Sequence, residues 1–249
     1  IKNKQNQLLE AKEALQEAKN KVEKTNKELM KLDQLKSDFV STVSHELRTP
    51  LSIIREGINL VLDRIPGEIN EKQNKILDVS RHHIDRLARI INSLLDISRI
   101  EAGKVELKKE FISMPDLIEH IASSFENTIK QKRLELKLDI EKGNYKLYAD
   151  PDSMTQVITN LLDNAIKFTD KGYIEISCKE KKDAIECSVS DTGVGISKED
   201  IHKVFDKFQQ FGRVPGAGEK GTGLGLSIAK NIIDIHHGSI SVESELGKG

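Results

Sequence analysis

The sequence predicts a multidomain α and α+β protein, in which a long coiled coil leads into a helical hairpin and an α/β sandwich domain follows. Three observations predict this architecture: a seven-residue period through residues 1–43, a wide apolar stripe at helical spacing after it, and a change beyond Gly103 to strands alternating with helices. A chain of 249 residues is long enough for two domains that each bury their own core. We expect the coiled coil over residues 1–34, the hairpin over 35–100, a linker over 101–104 and the sandwich over 105–249.

The first helix carries its apolar residues on two seams of a heptad repeat. One seam runs in steps of seven from Ile1 to Val43, and the other, three residues further on, runs from Lys4 to Phe39. Sustained heptads between charged flanks favour a two-stranded coiled coil. The alternative is a lone amphipathic helix packed on its own domain, which so narrow a seam over six heptads disfavours.

A helical hairpin is expected to follow from the coiled coil. The first helix should continue to about residue 63, with Pro50 as the point where it would kink, because proline removes a hydrogen bond from a helix interior. A turn over residues 64–70 then leads to a second helix over about 71–100, whose apolar stripe is too wide for a single partner helix. Two hairpins forming a four-helix bundle would bury that stripe, which predicts a homodimer.

The remainder of the chain predicts helices grouped on one face of a mixed sheet, which is an α/β sandwich. The expected elements are a strand at 105–112, a helix at 114–131 capped by Ser113, strands at 134–140 and 145–149, a helix at 152–168, a hairpin at 173–191, a glycine-rich loop at 209–223, a helix at 224–236 and a strand at 238–244. Cys178 and Cys187 fall on the apolar face of the hairpin. Reduced core thiols of a cytosolic protein are favoured over a disulfide or a metal pair.

Composition limits the classes of partner. Lysine and arginine (39) almost balance aspartate and glutamate (40), so nothing indicates attraction to nucleic acid or to an anionic membrane. The sequence has no apolar stretch of the roughly 20 residues that a membrane-spanning helix needs, and no signal peptide opens it. Since Ile1 lies inside a helical repeat and the chain stops soon after the last expected strand, we expect the natural protein to be longer.

A candidate nucleophile lies on the first helix. His45, Glu46 and Thr49 fall within about one helical turn, and His45 lies off both heptad seams, so its ring should face solvent. A neutral exposed imidazole has a lone pair that can attack phosphorus, and the adjacent Glu46 can accept the proton that the ring must lose. An exposed helical histidine is usually an ordinary surface residue, so this segment alone does not assign the chemistry.

A polar face on the helix at 152–168 is a candidate site for a metal and phosphate. Asn160, Asn164 and Lys167 are spaced four and three residues apart, which places them on one face, and Phe168 follows. Amide oxygens are suitable ligands for Mg²⁺ that already carries phosphate oxygens, and a lysine can bind phosphate as a point charge. An ordinary polar outer face of a helix is equally consistent with this segment.

Glycine-rich segments follow on either side of a pair of phenylalanines. Asp191 comes directly after a strand, where its carboxylate can accept a hydrogen bond from the exocyclic amine of adenine, and Gly193 and Gly195 would let a ligand approach the backbone. A simple turn is the alternative there. A second segment opens the helix at 224–236, where free backbone N–H groups favour phosphate. Its candidate binding residues are Gly221, Thr222, Gly223, Leu224 and Gly225.

The second glycine segment fits neither of two common phosphate-binding motifs, since it lacks the Gly-Lys-Ser/Thr of a Walker loop and does not follow a strand as a Rossmann fingerprint does. Phe205 and Phe208 precede it, together with a loop that contains Gly212, Gly216 and Gly218. A mobile lid pinned by the aromatic residues and ordinary core packing of these rings are both consistent with the sequence.

Taken in order, five motifs resemble the H, N, G1, F and G2 boxes of two-component sensor histidine kinases. They are Ser44-His-Glu-Leu-Arg-Thr-Pro50, Asn160-x3-Asn164-x2-Lys167-Phe168, Asp191-Thr-Gly-Val-Gly195, Phe205-x2-Phe208 and Gly221-Thr-Gly-Leu-Gly-Leu-Ser227. Five motifs in the right order are far more specific than one. The resemblance implies a hairpin for dimerisation and phosphotransfer, followed by a Bergerat-type domain that binds ATP.

The resemblance also implies roles for individual residues. His45 would accept phosphate, Glu46 would take its proton, and Thr49 would orient water for dephosphorylation of a partner. Asn160 would hold Mg²⁺ with Asn164 and Lys167 beside the phosphates; Asp191 would bind adenine, and the glycine backbones, with Phe168, Phe208, Thr222 and Leu224, would complete the pocket. The implied partners are a second copy of the chain and a response-regulator receiver domain, with no nucleic acid. The implied location is cytoplasmic, with any membrane attachment supplied by a sensor region that precedes Ile1.

Two departures from the family pattern affect the site and the sheet. Gln209 and Gln210 stand where many members have an arginine after the second phenylalanine, so the cation on the γ-phosphate is open between Lys167, Arg213 and Lys220. The strand that follows Gly-Lys-Gly in the family is also absent, which would leave a sheet edge exposed.

Two other functions compete with phosphotransfer. ATP hydrolases of the gyrase, chaperone and mismatch-repair type share the pocket but carry a glutamate at the position of Asn160, and an amide cannot activate water as that base does. The second alternative is a dimeric scaffold that binds nucleotide without catalysis, against which Asn160, Asp191 and His45 all argue.

Overall fold

The protein folds into two compact units, residues Ile1–Lys104 and Val105–Gly249. The computed structural model describes residues 2–103, 105–141, 143, 146–182, 184–211 and 222–249. The first unit is helical and the second combines helices with β-sheet, so the predicted fold class is confirmed. In the described ranges, no helix combines the length and the apolar character that crossing a membrane would require.

The helical unit is an antiparallel hairpin of two long helices. Helix α1 spans Lys2–Leu62 and continues through Pro50, whose missing N–H leaves the carbonyl of Glu46 without its usual helical donor. Helix α2 spans Glu71–Glu101, and a capping box in which Asn70 and Gln73 exchange hydrogen bonds fixes its start. Both helices therefore end within two residues of the positions expected from the sequence.

Side chains from both helices join the hairpin along its length. From its open end the links are Lys36 to Glu101 at 3.1 Å, Ser37 to Ser98 at 3.3 Å, Arg48 to Asn92 at 3.0 Å and Arg55 to Asp85 at 3.9 Å. A cavity of about 200 Å³ lies at the same open end, lined by Met30, Asp33, Gln34, Lys36, Ser37, Ser98, Glu101 and Ala102. None of the candidate site residues lines it.

Within one chain, α1 buries a face that differs from its heptad seams. Ser37 and Ser44, seven residues apart, are only 8% and 4% exposed. The seam residues Leu32 and Phe39 are 62% and 68% exposed, and Val43 is also at the surface. These described seam residues of α1 are therefore left uncovered by the chain's own hairpin.

The second unit places helices against two small sheets. Its elements are β1 Glu110–Ser113, α3 Met114–Gln131, β2 Glu135–Ile140, β3 Lys146–Ala149, α4 Pro151–Phe168, β4 Tyr173–Lys181, β5 Ala184–Asp191, a 3₁₀ turn Ile201–Lys203 and α5 Gly225–Ile235. Strand β1 pairs antiparallel with β3, while β4 lies between a parallel β2 and an antiparallel β5. The three-stranded sheet is therefore mixed, as expected.

Capping side chains and a shared apolar core fix the helices that matter for the site. Ser113 caps α3 as expected, and the carboxylate of Asp150 caps α4 by accepting from the Ser153 N–H at 2.8 Å. Fully buried side chains from both helices, the sheet and α5 form the core: Ile118, Ile129, Leu162, Ile174, Ile176, Leu224 and Ile228. This core holds α4 against the sheet and α5 against α4.

Two strand predictions are wrong in part or in full. The strand expected at 105–112 begins at Glu110, because β3 offers a partner over only four residues and the Lys108 N–H instead donates to the Asp150 carboxylate at 2.7 Å. The strand expected at 238–244 is not formed, although all of these residues are described. Its end is held by loop contacts, since Ser244 Oγ accepts from the Ile196 N–H at 2.8 Å, and no neighbouring strand pairs with it.

Cys178 and Cys187 lie opposite each other in β4 and β5, with their sulfur atoms 3.6 Å apart, and both are free thiols. Burial, with Cys178 close by, raises the pKa of Cys187 to about 12. Burial also raises the pKa of Cys178. Both groups are therefore protonated at neutral pH, which makes them poor nucleophiles.

Candidate functional site

The candidate nucleophile is exposed on α1. His45, Glu46 and Thr49 all face solvent, as the heptad position of His45 predicts. The neighbouring Ser44 is 4% exposed, so the helix presents His45 outward while it buries the residue before it. Arg48 donates to Asn92 of α2 at 3.0 Å, which anchors α1 one turn from His45. The segment thus combines a fixed backbone with an accessible imidazole.

The polar face of α4 is present as expected. Asn160, Asn164 and Lys167 are half-buried on one side of the helix, while the opposite side buries Val157, Ile158, Leu162, Ala165 and Ile166. The Nδ2 of Asn160 donates to the Gly225 carbonyl at 3.2 Å, which turns the Oδ1 of this amide away from that carbonyl. The ammonium of Lys167 lies 4.7 Å from the centre of the Phe168 ring.

Asp191 ends β5 with one carboxylate oxygen already engaged. Its Oδ1 accepts from the Gly193 N–H at 2.8 Å and from the hydroxyl of Thr169 at 3.3 Å. A Cβ on Gly193 would lie 2.7 Å from that Oδ1 and even closer to the Phe168 carbonyl, so only glycine fits here. Among the described residues, both bonds to this carboxylate fall on Oδ1, which leaves Oδ2 as the oxygen that can accept from a ligand.

Phe208 and Gly223 are joined across the ends of the glycine-rich loop. The Phe208 N–H donates to the Gly223 carbonyl at 2.8 Å, and a Cβ on Gly223 would lie 2.8 Å from backbone atoms of Phe208 and Gln209. Phe208 is 60% exposed, so it is not a core residue, whereas Phe205 is half-buried with Lys230 5.6 Å from its ring. The candidates Gly221, Arg213 and Lys220 lie outside the described residues, as do Gly212, Gly216 and Gly218.

The N-terminus of α5 lies close to the polar face of α4. Leu224 precedes the helix and is fully buried, and its N–H donates to Thr222 Oγ1 at 3.2 Å. In the part of the chain that the structure describes, no side chain caps α5, which leaves the N–H groups of its first turn for a ligand. The bond from Asn160 to Gly225 places this helix end beside the polar face of α4.

Three pairs of candidate residues are therefore brought together: Asn160 with Gly225 and Phe168 with Gly193 at α4, and Phe208 with Gly223 across the glycine-rich loop. The sequence interpretation missed Thr169, which is fully buried and orients Asp191. It also missed Lys132, whose Nζ donates to the Ile166 carbonyl at 2.6 Å near the end of α4. The hydroxyl residue directly after the helix was a signal for Thr169, but no local pattern indicated Lys132.

Among the described residues, acidic, histidine and cysteine side chains do not form a metal site of their own. Within the described ranges, no group of three or more such residues could hold a metal ion. Two amides on α4, Asn160 and Asn164, remain the candidate oxygen ligands, and Mg²⁺ usually completes its shell with phosphate oxygens and water.

Comparison with protein-family models matches both units. Residues 35–103 match the His Kinase A (phospho-acceptor) domain. Residues 149–249 match the histidine kinase-, DNA gyrase B-, and HSP90-like ATPase domain. Together the two matches cover more than half of the chain, and they contain all of the candidate site residues.

Comparison with known proteins and with solved structures agrees with the family models. The sensor protein SrrB of Staphylococcus aureus is 39% identical over 222 residues, which cover 88% of this chain and 37% of SrrB. The chain thus spans little more than a third of the curated relatives that it matches. Among solved structures, the Acinetobacter baumannii histidine kinase AdeS is similar over 76% of this chain and 86% of its own, with a TM-score of 0.52 and 26% identity. Full-length ShkA in complex with AMPPNP shares the fold over 85% of this chain and 43% of its own, with a TM-score of 0.71 and 24% identity.

Proposed function

Because this chain belongs to the two-component sensor histidine kinases, we propose that it uses Mg-ATP to phosphorylate His45 and passes the phosphoryl group to an aspartate of a response regulator. The observation that carries the proposal is an exposed His45 inside the phosphoacceptor match, in a chain whose second unit bears Asp191 and also places Asn160 beside a helix N-terminus that no described side chain caps. The proposal needs the histidine, the two polar side chains and the helix N-terminus for one reaction.

The second unit is suited to bind the nucleotide. Asp191 Oδ2 would accept from the exocyclic amine of adenine, since Oδ1 is occupied by Gly193 and Thr169. The positive end of the α5 dipole and the N–H groups of its first turn, which no described side chain caps, would bind phosphate oxygens. Gly193, Gly195 and Gly223 are needed for the close packing of these loops, because a Cβ at any of them would collide with the chain's own backbone.

The α4 face is suited to hold the magnesium ion with its phosphates. Asn160 fits this role because its Nδ2 is bound to the Gly225 carbonyl, so its Oδ1 is the atom available to a cation. Asn164 lies one turn further along the same face, and Lys167 follows it. Mg²⁺, when bound, neutralises charge on the phosphate oxygens.

The phosphotransfer step follows from the position of His45. An imidazole nitrogen attacks the γ-phosphorus in line with the leaving oxygen, so that an N–P bond forms as the P–O bond to ADP breaks. The ring proton passes to the carboxylate of Glu46, the next residue on the exposed surface. The product is a phosphohistidine, which is labile to acid.

Transfer to histidine is favoured over hydrolysis by the residue at position 160. The related ATP hydrolases have a glutamate there that activates water, whereas the amide of Asn160 is not a base. The chain should therefore hydrolyse ATP slowly in the absence of an acceptor. Thr49, exposed one turn beyond His45, is the residue proposed to orient water when a phosphorylated response regulator is dephosphorylated.

Two partners complete the proposal. A second copy of the chain would cover the exposed heptad seam, which includes Leu32 and Phe39, in a coiled coil and four-helix bundle. A receiver domain would dock on the exposed surface around His45, where Leu47 is 44% exposed and offers an apolar contact.

The decisive experiment is incubation of the chain with γ-labelled Mg-ATP. We expect acid-labile label in the wild-type chain and none in His45→Gln. His83→Gln is the matched control, because His83 is also exposed on a helix of the same unit, and it should label normally. Acid-stable label, or label that persists in His45→Gln, would refute the proposal. Loss of label on adding a receiver domain would support the second transfer, and full retention with every receiver of the same organism would refute it.

A further inference from the structure

His236, the residue that follows α5, makes a connection that the proposed chemistry does not use. We propose that His236 is a positioning residue, which fixes the register of α5 against α4 and thereby sets the geometry of the nucleotide site. The inference rests on the proposed function for the identity of the ligand. The link itself rests on contacts within the second unit.

Both ring nitrogens of His236 are engaged, and their partners assign the tautomer. Nδ1 lies 2.8 Å from the Ile232 carbonyl, which can only accept, so Nδ1 carries the proton. Nε2 is then an acceptor, and it accepts the backbone N–H of Asp150 at 3.2 Å. One neutral tautomer satisfies both bonds, and the second joins two helices that are far apart in the sequence.

Asp150 is a firm anchor for this bond. It is 7% exposed, and its carboxylate accepts from the N–H groups of Ser153 at 2.8 Å and Lys108 at 2.7 Å. These bonds outweigh the effect of burial, which acts in the opposite direction, and hold the pKa of Asp150 below its usual value. His236 therefore attaches the end of α5 to a residue that is already fixed at the start of α4.

A second link joins the same two helices at the nucleotide site, where Asn160 donates to the Gly225 carbonyl at 3.2 Å. Asp150 and Asn160 are ten residues apart along α4, and Gly225 and His236 are eleven residues apart along α5. At a rise of 1.5 Å per residue the two spans are about 15 Å and about 16 Å. The antiparallel helices are thus tied at both ends of segments of nearly equal length.

The two hydrogen bonds fix the register of α5 against α4, which apolar packing alone does not do. Buried residues such as Leu162 and Ile228 hold α4 and α5 together, but aliphatic contacts alone do not specify a unique register. Directional bonds do so, because a slip of one residue moves α5 by about 1.5 Å and breaks both. Without the His236 bond, the Asn160 amide and the N–H groups of α5 would no longer be held at one separation.

Two substitutions of His236 distinguish loss of the bond to Asp150 from loss of the bond to Ile232 at the end of α5. His236→Gln retains an acceptor at about the reach of Nε2, whereas His236→Asn can still donate to Ile232 but is too short to reach Asp150. His237→Asn is the control for position, since His237 is exposed and its φ of 61° is one that asparagine tolerates. Ile121→Val is the control for stability, because it removes one methyl from a buried residue of α3.

The experiment measures ATP affinity by calorimetry and amide hydrogen exchange in α5 without nucleotide, both in the full chain. We expect His236→Asn to raise the Kd for ATP about fivefold to tenfold and to speed exchange at the start of α5. His236→Gln, His237→Asn and Ile121→Val should stay within about twofold of wild type in affinity.

Three other results would each have a clear meaning. An unchanged Kd in His236→Asn would overturn the inference, as would an equal rise in Ile121→Val, which would show a general effect of stability. A rise in His236→Gln equal to that in His236→Asn would show that the acceptor is irrelevant. A wild-type chain that binds no ATP would refute the proposed function instead, and the exchange rates would still decide whether His236 fixes α5.

Discussion

Substitution of Asp191 by asparagine should change which base the nucleotide site accepts. In Asp191→Asn the amide oxygen can keep the two bonds that Oδ1 now makes, to the Gly193 N–H and to Thr169. An NH₂ group then takes the place of Oδ2, the oxygen proposed to bind adenine. A donor would face the donor of the adenine amine, while the carbonyl oxygen of guanine would find a partner there.

The size of the effect follows from the lost bond. A hydrogen bond to a charged acceptor contributes about 1.5–3 kcal/mol. This corresponds to a loss of about tenfold to 150-fold in affinity for ATP, at about 1.4 kcal/mol for each factor of ten. Affinity for GTP should stay the same or rise, so the preference for ATP over GTP should fall by at least the same factor.

Calorimetric titration of the chain with ATP and with GTP measures both quantities. Asp116→Asn is the matched control, because it removes one negative charge from an exposed position on α3 and should leave both affinities unchanged. If Asp191→Asn bound ATP within threefold of wild type with the same ATP preference, the carboxylate would not contact the base. Equal losses for both nucleotides would show that the loop itself had been disturbed.

Three further predictions concern stability and assembly. Burial alone would raise the pKa of Asp150, but the N–H groups bonded to its carboxylate lower this pKa below 3.8. The stability that the carboxylate contributes is therefore present above that pH and is lost as the pH falls through the pKa of the folded state. Asp150→Asn should therefore lower the free energy of unfolding, measured in urea, by about 1–2 kcal/mol at pH 7. The difference from wild type should shrink below about pH 3.8, and a difference that does not change with pH would contradict this. Leu162→Ala, at a fully buried position, should lower the free energy of unfolding by about 2–5 kcal/mol in the same assay, and a loss below 1 kcal/mol would show that the core relaxes around it. Phe39 is 68% exposed within one chain, and Phe39→Glu should convert dimers to monomers in sedimentation velocity without loss of helical circular dichroism. The control Glu28→Gln should remain dimeric. A dimeric Phe39→Glu chain would exclude this seam as the interface.

Long helices could be predicted from the sequence because their signals are local. Helix α3 begins and ends where its cap and its apolar period place it, and α4 begins one residue earlier than expected, at Pro151. The cap residues Ser113 and Asp150 accept bonds from the helix N–H groups three positions on, so a few adjacent residues decide the boundary.

Strand boundaries failed because a strand depends on a partner that its own sequence does not specify. Residues 105–109 alternate in the manner of a strand, yet β3 has no residues left to pair with them. Residues 238–244 alternate as well, but no strand pairs with them in the described chain. Alternation reports which side chains face a core, and it does not report whether a neighbouring backbone is present.

Of the candidate site, too, only the part that depends on local sequence could be predicted. Motif spacing placed Asn160, Asn164 and Lys167 on one face, since the helical period fixes that geometry. The bonds that orient the site come from distant positions, as with Thr169 to Asp191 and His236 to Asp150. Such contacts depend on how whole elements pack, which no short sequence window contains.

The open end of the helical hairpin has a mechanical consequence. There α1 meets α2 through the hydroxyls of Ser37 and Ser98, 3.3 Å apart, beside a cavity of about 200 Å³. Side chains this short do not interlock, and the Lys36 to Glu101 ion pair beside them is exposed, so these polar links resist sliding or turning of α1 only weakly. A push or twist applied to the preceding helix is therefore not stopped at Ser37. Further along α1, Arg48 holds Asn92 one turn from His45, so a movement of α1 that reached this level would act on the helix segment that carries His45.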